Sequence, residues 1–258
     1  MADFLKITSK DNSYVKLVKS LQSSAKARRE HRKFVLEGLR ICDDARNNGI
    51  VFETLVFSET ACEKYSDFFK AFRNSAESTV VAADNVFEKM SDTDSPQGIL
   101  AVVRMKEAKN DADRHGKYIA LENLADPSNL GAVSRTAEAL GVSGLIVSGG
   151  CDPYSPKALR ASMGTLLRIP VLSVDNIADF AESNGMRVIS CVVDSKASPI
   201  TDVDFKNGDI IVIGNEANGI SEVLKSRSDI CTTIPMCGRA ESLNASVAAA
   251  IAVWEMMR

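Results

Sequence analysis

From Tyr118 onward, short unbroken apolar runs alternate with helical segments, and this alternation constrains the fold more than any other feature of the chain. Strands are expected at Tyr118–Leu121, Gly144–Val147, Val188–Val193, Ile210–Ile213 and Thr232–Pro235. Helices are expected at Leu130–Leu140, Pro156–Leu167, Asn176–Ser183, Ile220–Ser226 and Ser242–Met257. Because these strands do not alternate apolar with polar residues, both of their faces must be buried. Strands of that kind, each followed by a helix, make a parallel sheet covered by helices.

The first half is a smaller α/β unit. Phe34-Val35-Leu36 and Thr54-Leu55-Val56-Phe57 read as strands, with a helix from Gly38 to Asn48 that stops at Gly49. Helices at Glu59–Phe72 and Asp84–Met90 and strands at Thr79–Ala82 and Gly98–Val103 complete it. The stretch Arg104–Lys117 is mostly charged with one large apolar residue, as expected of a linker. The expected organisation is therefore α/β throughout: residues 1–104, a linker at 105–117, and the parallel-sheet domain at 118–258.

Charge is distributed unevenly. Between Lys6 and Arg40, ten basic residues face only Asp11, Glu30 and Glu37, a local +7 that leaves −10 for the remainder of a chain whose net charge is −3. Such a patch is the footprint expected for nucleic acid, since Lys and Arg displace counterions from phosphates; a solvated helix face that binds nothing is the plain alternative. The longest nearly uncharged apolar stretch, Leu243–Trp254, is about twelve residues against the roughly twenty needed to span a bilayer. No basic segment followed by an apolar one opens the chain at Met1–Lys6, so a cytoplasmic location is expected.

Several chemistries are disfavoured. The six cysteines are scattered without a Cys-x-x-Cys pair, and His31 and His115 lie among charges, so neither a metal site nor histidine catalysis is expected. Gly-x-x-x-x-Gly-Lys-Ser/Thr and Gly-x-Ser-x-Gly are absent, and Gly144–Gly150 lacks Gly-x-Gly-x-x-Gly.

Three other segments follow predicted strands, where open α/β sheets place ligands. In Asn123–Gly141, residues Leu130, Val133, Ala137 and Leu140 share one helix face, and Arg135 falls about 180° away from it. Ile213-Gly214-Asn215-Glu216-Ala217-Asn218-Gly219-Ile220 is a glycine-bounded loop through which a flat ligand could reach main-chain donors. In Ile234–Glu255, Ser242 and Asn244 can cap or flank a helix whose apolar face is Leu243, Val247, Ile251 and Trp254, with small Ala245, Ala248, Ala249 and Ala252 beside it.

In this order and spacing, the three segments resemble the motifs of the SpoU family of tRNA and rRNA ribose 2′-O-methyltransferases, in the SPOUT class. The resemblance covers Tyr118 to the end of the chain. It rests on Asn129-Leu130-Gly131-Ala132 with Arg135-Thr136-Ala137, on Gly214-Asn215-Glu216 with Gly219-Ile220, and on Ile234-Pro235-Met236, Gly238 and Ser242-Leu243-Asn244-Ala245-Ser246. Ala245 departs from the family, where many members carry valine. The first half, through Ile7–Asn12 and Phe34–Arg40, resembles the substrate-binding domain attached to many such enzymes, itself similar to an RNA-binding ribosomal protein.

The resemblance implies a deep trefoil knot, a homodimer through the C-terminal helix and the helix after Asn129, and S-adenosylmethionine as cofactor without a metal. Cofactor contacts are implied at Gly214, Asn215, Ile234, Met236 and Leu243, and catalytic positions at Arg135, Asn129, Glu216, Ser242 and Asn244. Arg135 would orient phosphate and stabilise developing alkoxide charge; a guanidinium suits that better than general-base work. Asn129 would position the ribose or Arg135, Glu216 would order the cofactor loop or a partner's arginine, and Ser242 with Asn244 would shape the pocket floor. Ribosomal RNA is the implied substrate. Transfer RNA, a base nitrogen as acceptor, and a catalytically silent knotted RNA-binding protein are the alternatives.

Overall fold

The computed structural model describes residues 5–72, 75–105 and 112–258. Of the expected linker, residues 106–111 lie outside the described residues, as do residues 1–4 of the amino terminus. Contacts divide the chain into two units, Met1–Glu107 with Tyr154–Arg160, and Ala108–Pro153 with Ala161–Arg258.

The first unit carries β1 (Leu5–Ile7), α1 (Ser13–Ser23), α2 (Ala25–His31), β2 (Lys33–Glu37), α3 (Leu39–Asn47), β3 (Phe52–Ser58), α4 (Glu59–Lys64), α5 (Ser66–Phe72), β4 (Ala76–Ala82), α6 (Asp84–Met90) and β5 (Ile99–Arg104). Its sheet runs β1-β4-β3-β5-β2, with β5 antiparallel to both neighbours and the other pairs parallel. The basic segment, read from sequence only as charge, forms two helices. Asn12 and Ser24 cap them, accepting the Tyr14 and Ala27 amides at 2.8 and 3.2 Å.

Not all of the +7 faces water. Arg28 is 4% exposed and its guanidinium donates to the Leu21 and Gln22 carbonyls at 2.6 and 3.1 Å, closing the end of α1. Lys33 pairs with Glu53 at 2.7 Å.

After the linker come β6 (Tyr118–Glu122), α7 (Pro127–Ala139), β7 (Gly144–Ser148), α8 (Pro156–Ser162), α9 (Thr165–Arg168), β8 (Val171–Ser173), α10 (Ile177–Asn184), β9 (Arg187–Cys191), β10 (Ser198–Pro199), β11 (Asp209–Ile213), α11 (Glu222–Ser226), β12 (Ile230–Thr233) and α12 (Ala245–Met257), all in the second unit except Pro156–Arg160 of α8, which belong to the first. Its sheet is parallel throughout, in the order β10-β12-β9-β11-β6-β7-β8. Every residue of β7 and β11 is buried, which is why Leu145–Val147 and Ile210–Ile213 read as continuous apolar runs. The chain builds β7 and β8 on one side of β6 and then crosses to build β9 and β11 on the other. The carboxyl ends of β6 and β11 therefore meet where the winding direction changes, the position open α/β sheets reserve for ligands.

Three helices differ from expectation. The segment at 156–167 breaks at Met163 and Gly164, whose φ values are +51° and +91°; Gly164 supplies a conformation a side chain resists. Glu59–Phe72 divides at Tyr65, and α12 begins at Ala245, three residues after Ser242. The buried face of α12 is also not the expected one. Ala245, Ala249, Ala252, Val253 and Met256 point inward, while Val247 and Trp254 are 47% and 58% exposed. Small alanines let α12 lie close against α7 and β11, and the bulky residues are left outside. No helix of the described residues is long and apolar enough to cross a membrane.

Candidate functional site

The site grows from the loops that leave β6, β7 and β11. After β6 the chain turns at Asn123, with φ +53°, and enters α7 through Asp126, whose carboxylate accepts the Ser128 amide at 3.0 Å. Pro127 starts the helix where a missing N–H costs nothing. Gly149 and Gly150 bring the loop after β7 against this turn. A Cβ on Gly150 would stand 2.3 Å from the Leu124 carbonyl oxygen, and one on Gly149 would stand 2.1 Å from Asn123 Oδ1.

The loop after β11 is closed by its own backbone, Asn215 and Gly219 exchanging N–H···O bonds of 3.0 and 2.9 Å. Asn215 Oδ1 accepts the Ala217 and Asn218 amides at 2.9 and 3.1 Å, and its Nδ2 donates to the Asn123 carbonyl at 2.8 Å, tying the two loops together. Gly214 cannot be larger, because a Cβ there would lie 2.2 Å from the Gly219 carbonyl carbon.

Held in this way, Glu216 reaches the amino end of α7. Its carboxylate accepts the Ala125 amide at 2.9 Å, the Asp126 amide at 3.1 Å and Asn129 Nδ2 at 2.9 Å. Burial pushes its pKa up, but these three donors outweigh it and hold the carboxyl below its ordinary range. Asn129, itself 8% exposed, uses its oxygen to accept from Asn244 Nδ2 at 3.1 Å. Asn244 Oδ1 in turn caps α12, accepting the Ser246 amide at 2.9 Å, the Val247 amide at 3.3 Å and the Ser246 hydroxyl at 2.6 Å. One hydrogen-bonded chain, Glu216 to Asn129 to Asn244, thus joins the three sequence segments.

The remaining expected positions lie around this chain. Arg135 is exposed on α7 and has no ion pair among the described residues. Ile234, Met236 and Leu243 belong to the irregular segment between β12 and α12, with Met236 37% exposed. From Met236 to Leu243 no backbone hydrogen bond is made to any described residue, leaving those main-chain groups open to a ligand. Ser242 is exposed and outside the network; the cap of α12 is Asn244 alone.

Sequence reasoning passed over Asn123 as a loop tie and the paired Gly149-Gly150. Two adjacent glycines directly after an apolar strand are the available signal. Among the described residues no group of three or more His, Cys, Asp or Glu side chains could hold a metal ion.

A parallel sheet with loops gathered at its switch point places this chain among the open α/β folds that bind ligands at the carboxyl ends of their strands. The chain belongs to the SpoU rRNA Methylase family, whose profile matches residues 116–254, and the MRM3-like substrate binding domain matches residues 12–101. It is 31% identical to a 23S rRNA (guanosine(2553)-2′-O)-methyltransferase of Bacillus subtilis (strain 168), over 97% of this chain and 98% of that protein. A 23S rRNA (uridine(2479)-2′-O)-methyltransferase of Streptomyces viridochromogenes is 30% identical over 88% of this chain and 83% of its own. Among solved structures, an AdoMet-bound rRNA methyltransferase from Sinorhizobium meliloti superposes with a TM-score of 0.84 at 28% identity, covering 97% of this chain and 96% of that one. The SpoU methyltransferase AviRb from Streptomyces viridochromogenes, in complex with AdoMet, gives a TM-score of 0.85 at 25% identity, covering 95% and 97%.

Proposed function

We propose that this chain is an S-adenosylmethionine-dependent methyltransferase acting on a ribose 2′-hydroxyl of large-subunit ribosomal RNA. The observation that carries the reading is the chain Glu216–Asn129–Asn244, which fixes the amino end of α7 against the two loops that open onto the switch point, while Arg135, further along the same helix, makes no ion pair among the described residues. Relatives matched nearly end to end bear 23S rRNA 2′-O-methyltransferase names, which supports ribosomal RNA over transfer RNA.

The residues present suit the cofactor. Gly214 lets the loop after β11 fold back on Gly219, the backbone from Met236 to Leu243 makes no hydrogen bond to a described residue, and Met236 adds an exposed apolar surface. Neutral main-chain partners with an apolar wall are what an adenosine requires. Gly214, Asn215, Ile234, Met236 and Leu243 would hold it. When bound, S-adenosylmethionine supplies an electrophilic methyl group.

The protein's task is then to present the hydroxyl and manage its proton. The Arg135 guanidinium binds the RNA phosphate and stabilises the oxygen as it gains negative charge. Asn129 has both ends of its amide engaged, by Glu216 and by Asn244, so it holds the first turn of α7 rather than moving a proton. Glu216 keeps the cofactor loop in register with that turn. Ser242, exposed at the mouth of the irregular segment, is left to contact ligand directly.

The same reading has the C-terminal segment threaded into a trefoil knot, supported by α12 seated against both β11 and the turn Ile200–Asp202. It also makes the enzyme a homodimer, supported by the exposed Val247 and Trp254 on α12. The test is incubation with methyl-labelled S-adenosylmethionine and separate pools of unmodified rRNA and tRNA, followed by digestion to nucleosides. A labelled 2′-O-methylnucleoside from the rRNA pool is expected. Label on a base, or only in the tRNA pool, would overturn the assignment.

A further inference from the structure

Arg135 is exposed and makes no ion pair among the described residues, yet its own helix carries a carboxylate one turn on. Glu138 lies three positions on, a spacing at which acid and guanidinium commonly meet on a helix surface. In this structure they do not meet, and both Glu138 oxygens are held by Arg168 at the end of α9. Arg168 Nε donates to Oε1 at 2.5 Å and Nη2 donates to Oε2 at 2.7 Å, a planar fork that engages both oxygens and sets the direction of the carboxylate. The fork keeps the Glu138 carboxyl below its ordinary pKa despite partial burial.

The placement of Arg168 is built into the packing. Ser134 and Thr165, 0% and 4% exposed, share a hydrogen bond of 2.6 Å between their hydroxyls, which pins α9 to α7. Gly131, one turn earlier, has Ala161 Cβ only 2.5 Å from where its own Cβ would be, so the backbones before α9 and in α7 touch. Arg168, one turn beyond Thr165, is therefore delivered to Glu138 by rigid elements.

We propose that Arg168 is a positioning residue for the reaction: by holding Glu138 it keeps that carboxylate away from Arg135 and leaves the Arg135 guanidinium free for RNA. This rests on the role given to Arg135 above. Without Arg168, Glu138 would turn to Arg135 and would also present an uncompensated negative charge to the incoming phosphate. Both effects oppose substrate.

The test uses the full-length protein and three variants, Arg168→Gln, Arg168→Gln with Glu138→Gln, and Arg135→Ala. Phenylglyoxal modifies free guanidinium groups, and its rate at Arg135 is read by peptide mapping without any substrate. Labelling of Arg135 should slow by about 1.4- to 2.3-fold in Arg168→Gln and return to the wild-type rate in the double variant. Turnover of unmodified 23S-type rRNA transcript should fall and recover in the same pattern, with the KM for S-adenosylmethionine unchanged.

A purely structural Arg168 would give no recovery on removing Glu138, and that result, or wild-type labelling in Arg168→Gln, overturns the inference. Thermal melting of each variant shows whether it is folded. An active Arg135→Ala would instead defeat the catalytic reading, while the labelling pattern would still decide what Arg168 does.

Discussion

Asn129 Nδ2 donates to Glu216 Oε1 at 2.9 Å, linking the first turn of α7 to a loop 87 residues further along the chain. Two backbone amides at the same helix end complete the carboxylate's partners. Replacing Glu216 with alanine should cost about 1 kcal/mol of stability, since three hydrogen bonds to a charged group are lost but the group is solvent-accessible. The folded carboxyl has a lowered pKa, so its contribution is present above the unfolded value and is lost as pH falls through the folded one. Denaturant titrations of wild type and Glu216→Gln should therefore converge in acid, below the ordinary 4.5, and separate toward neutrality. A gap that stays constant with pH would show that the charge of Glu216 is not what holds the loop.

The two glycines that bound this loop should differ in their tolerance. A methyl group on Gly214 meets the Gly219 carbonyl carbon at 2.2 Å, whereas one on Gly219 meets nothing within 4 Å and suffers only from φ +66°. Gly219→Ala should cost about 1–2 kcal/mol for the left-handed backbone. Gly214→Ala should distort the loop itself and also weaken S-adenosylmethionine, as measured by calorimetry. Equal cofactor affinity in the two variants would place the ligand away from the β11 exit.

Much of this was legible beforehand, for identifiable reasons. Buried parallel strands such as Leu145–Val147 and Ile210–Ile213 announce themselves because burial on both faces removes every polar residue. Asn129, Glu216 and Asn244 could be singled out from their segments, but nothing local says that an amide at 129 bridges residues 87 positions and 115 positions away. The inward face of α12 was misjudged for a related reason. In a helix apolar on almost every side, periodicity carries no direction, and the sheet selects alanines because they permit close approach. Helices α1 and α2 were hidden by charge, which obscured the stripe Val15, Val18 and Leu21.

Arg135→Ala should abolish methyl transfer and leave the fold intact. The side chain is exposed and makes no ion pair with a described residue, so its removal should change stability by less than about 0.5 kcal/mol. Cofactor affinity should stay within about twofold, because the residue acts on the RNA side of the reaction. Arg135→Lys should remain severely impaired, since a point charge cannot reproduce the fork that grips phosphate. Calorimetry with S-adenosylmethionine, run beside a single-turnover assay, separates these effects; a variant that binds RNA normally and still transfers methyl would remove Arg135 from the chemistry.

Trp254 is 58% exposed and Val247 is 47% exposed, two turns apart on the outer side of α12, whose inner alanines already seal the fold. A tryptophan and a valine exposed on one side of a helix present apolar surface whose burial by another surface is favourable. If a second copy of the chain does so, Trp254→Glu should shift the sedimenting species from dimer to monomer. The fold itself should be nearly unaffected, because Trp254 contributes little to the core formed by Ala249, Ala252 and Val253. Sedimentation velocity over a concentration series, with circular dichroism on the same samples, measures both quantities. Activity should fall with the dimer, since α12 begins at Asn244, the last member of the chain that orders α7. A monomeric variant that retains full turnover would show that one chain supplies the whole site.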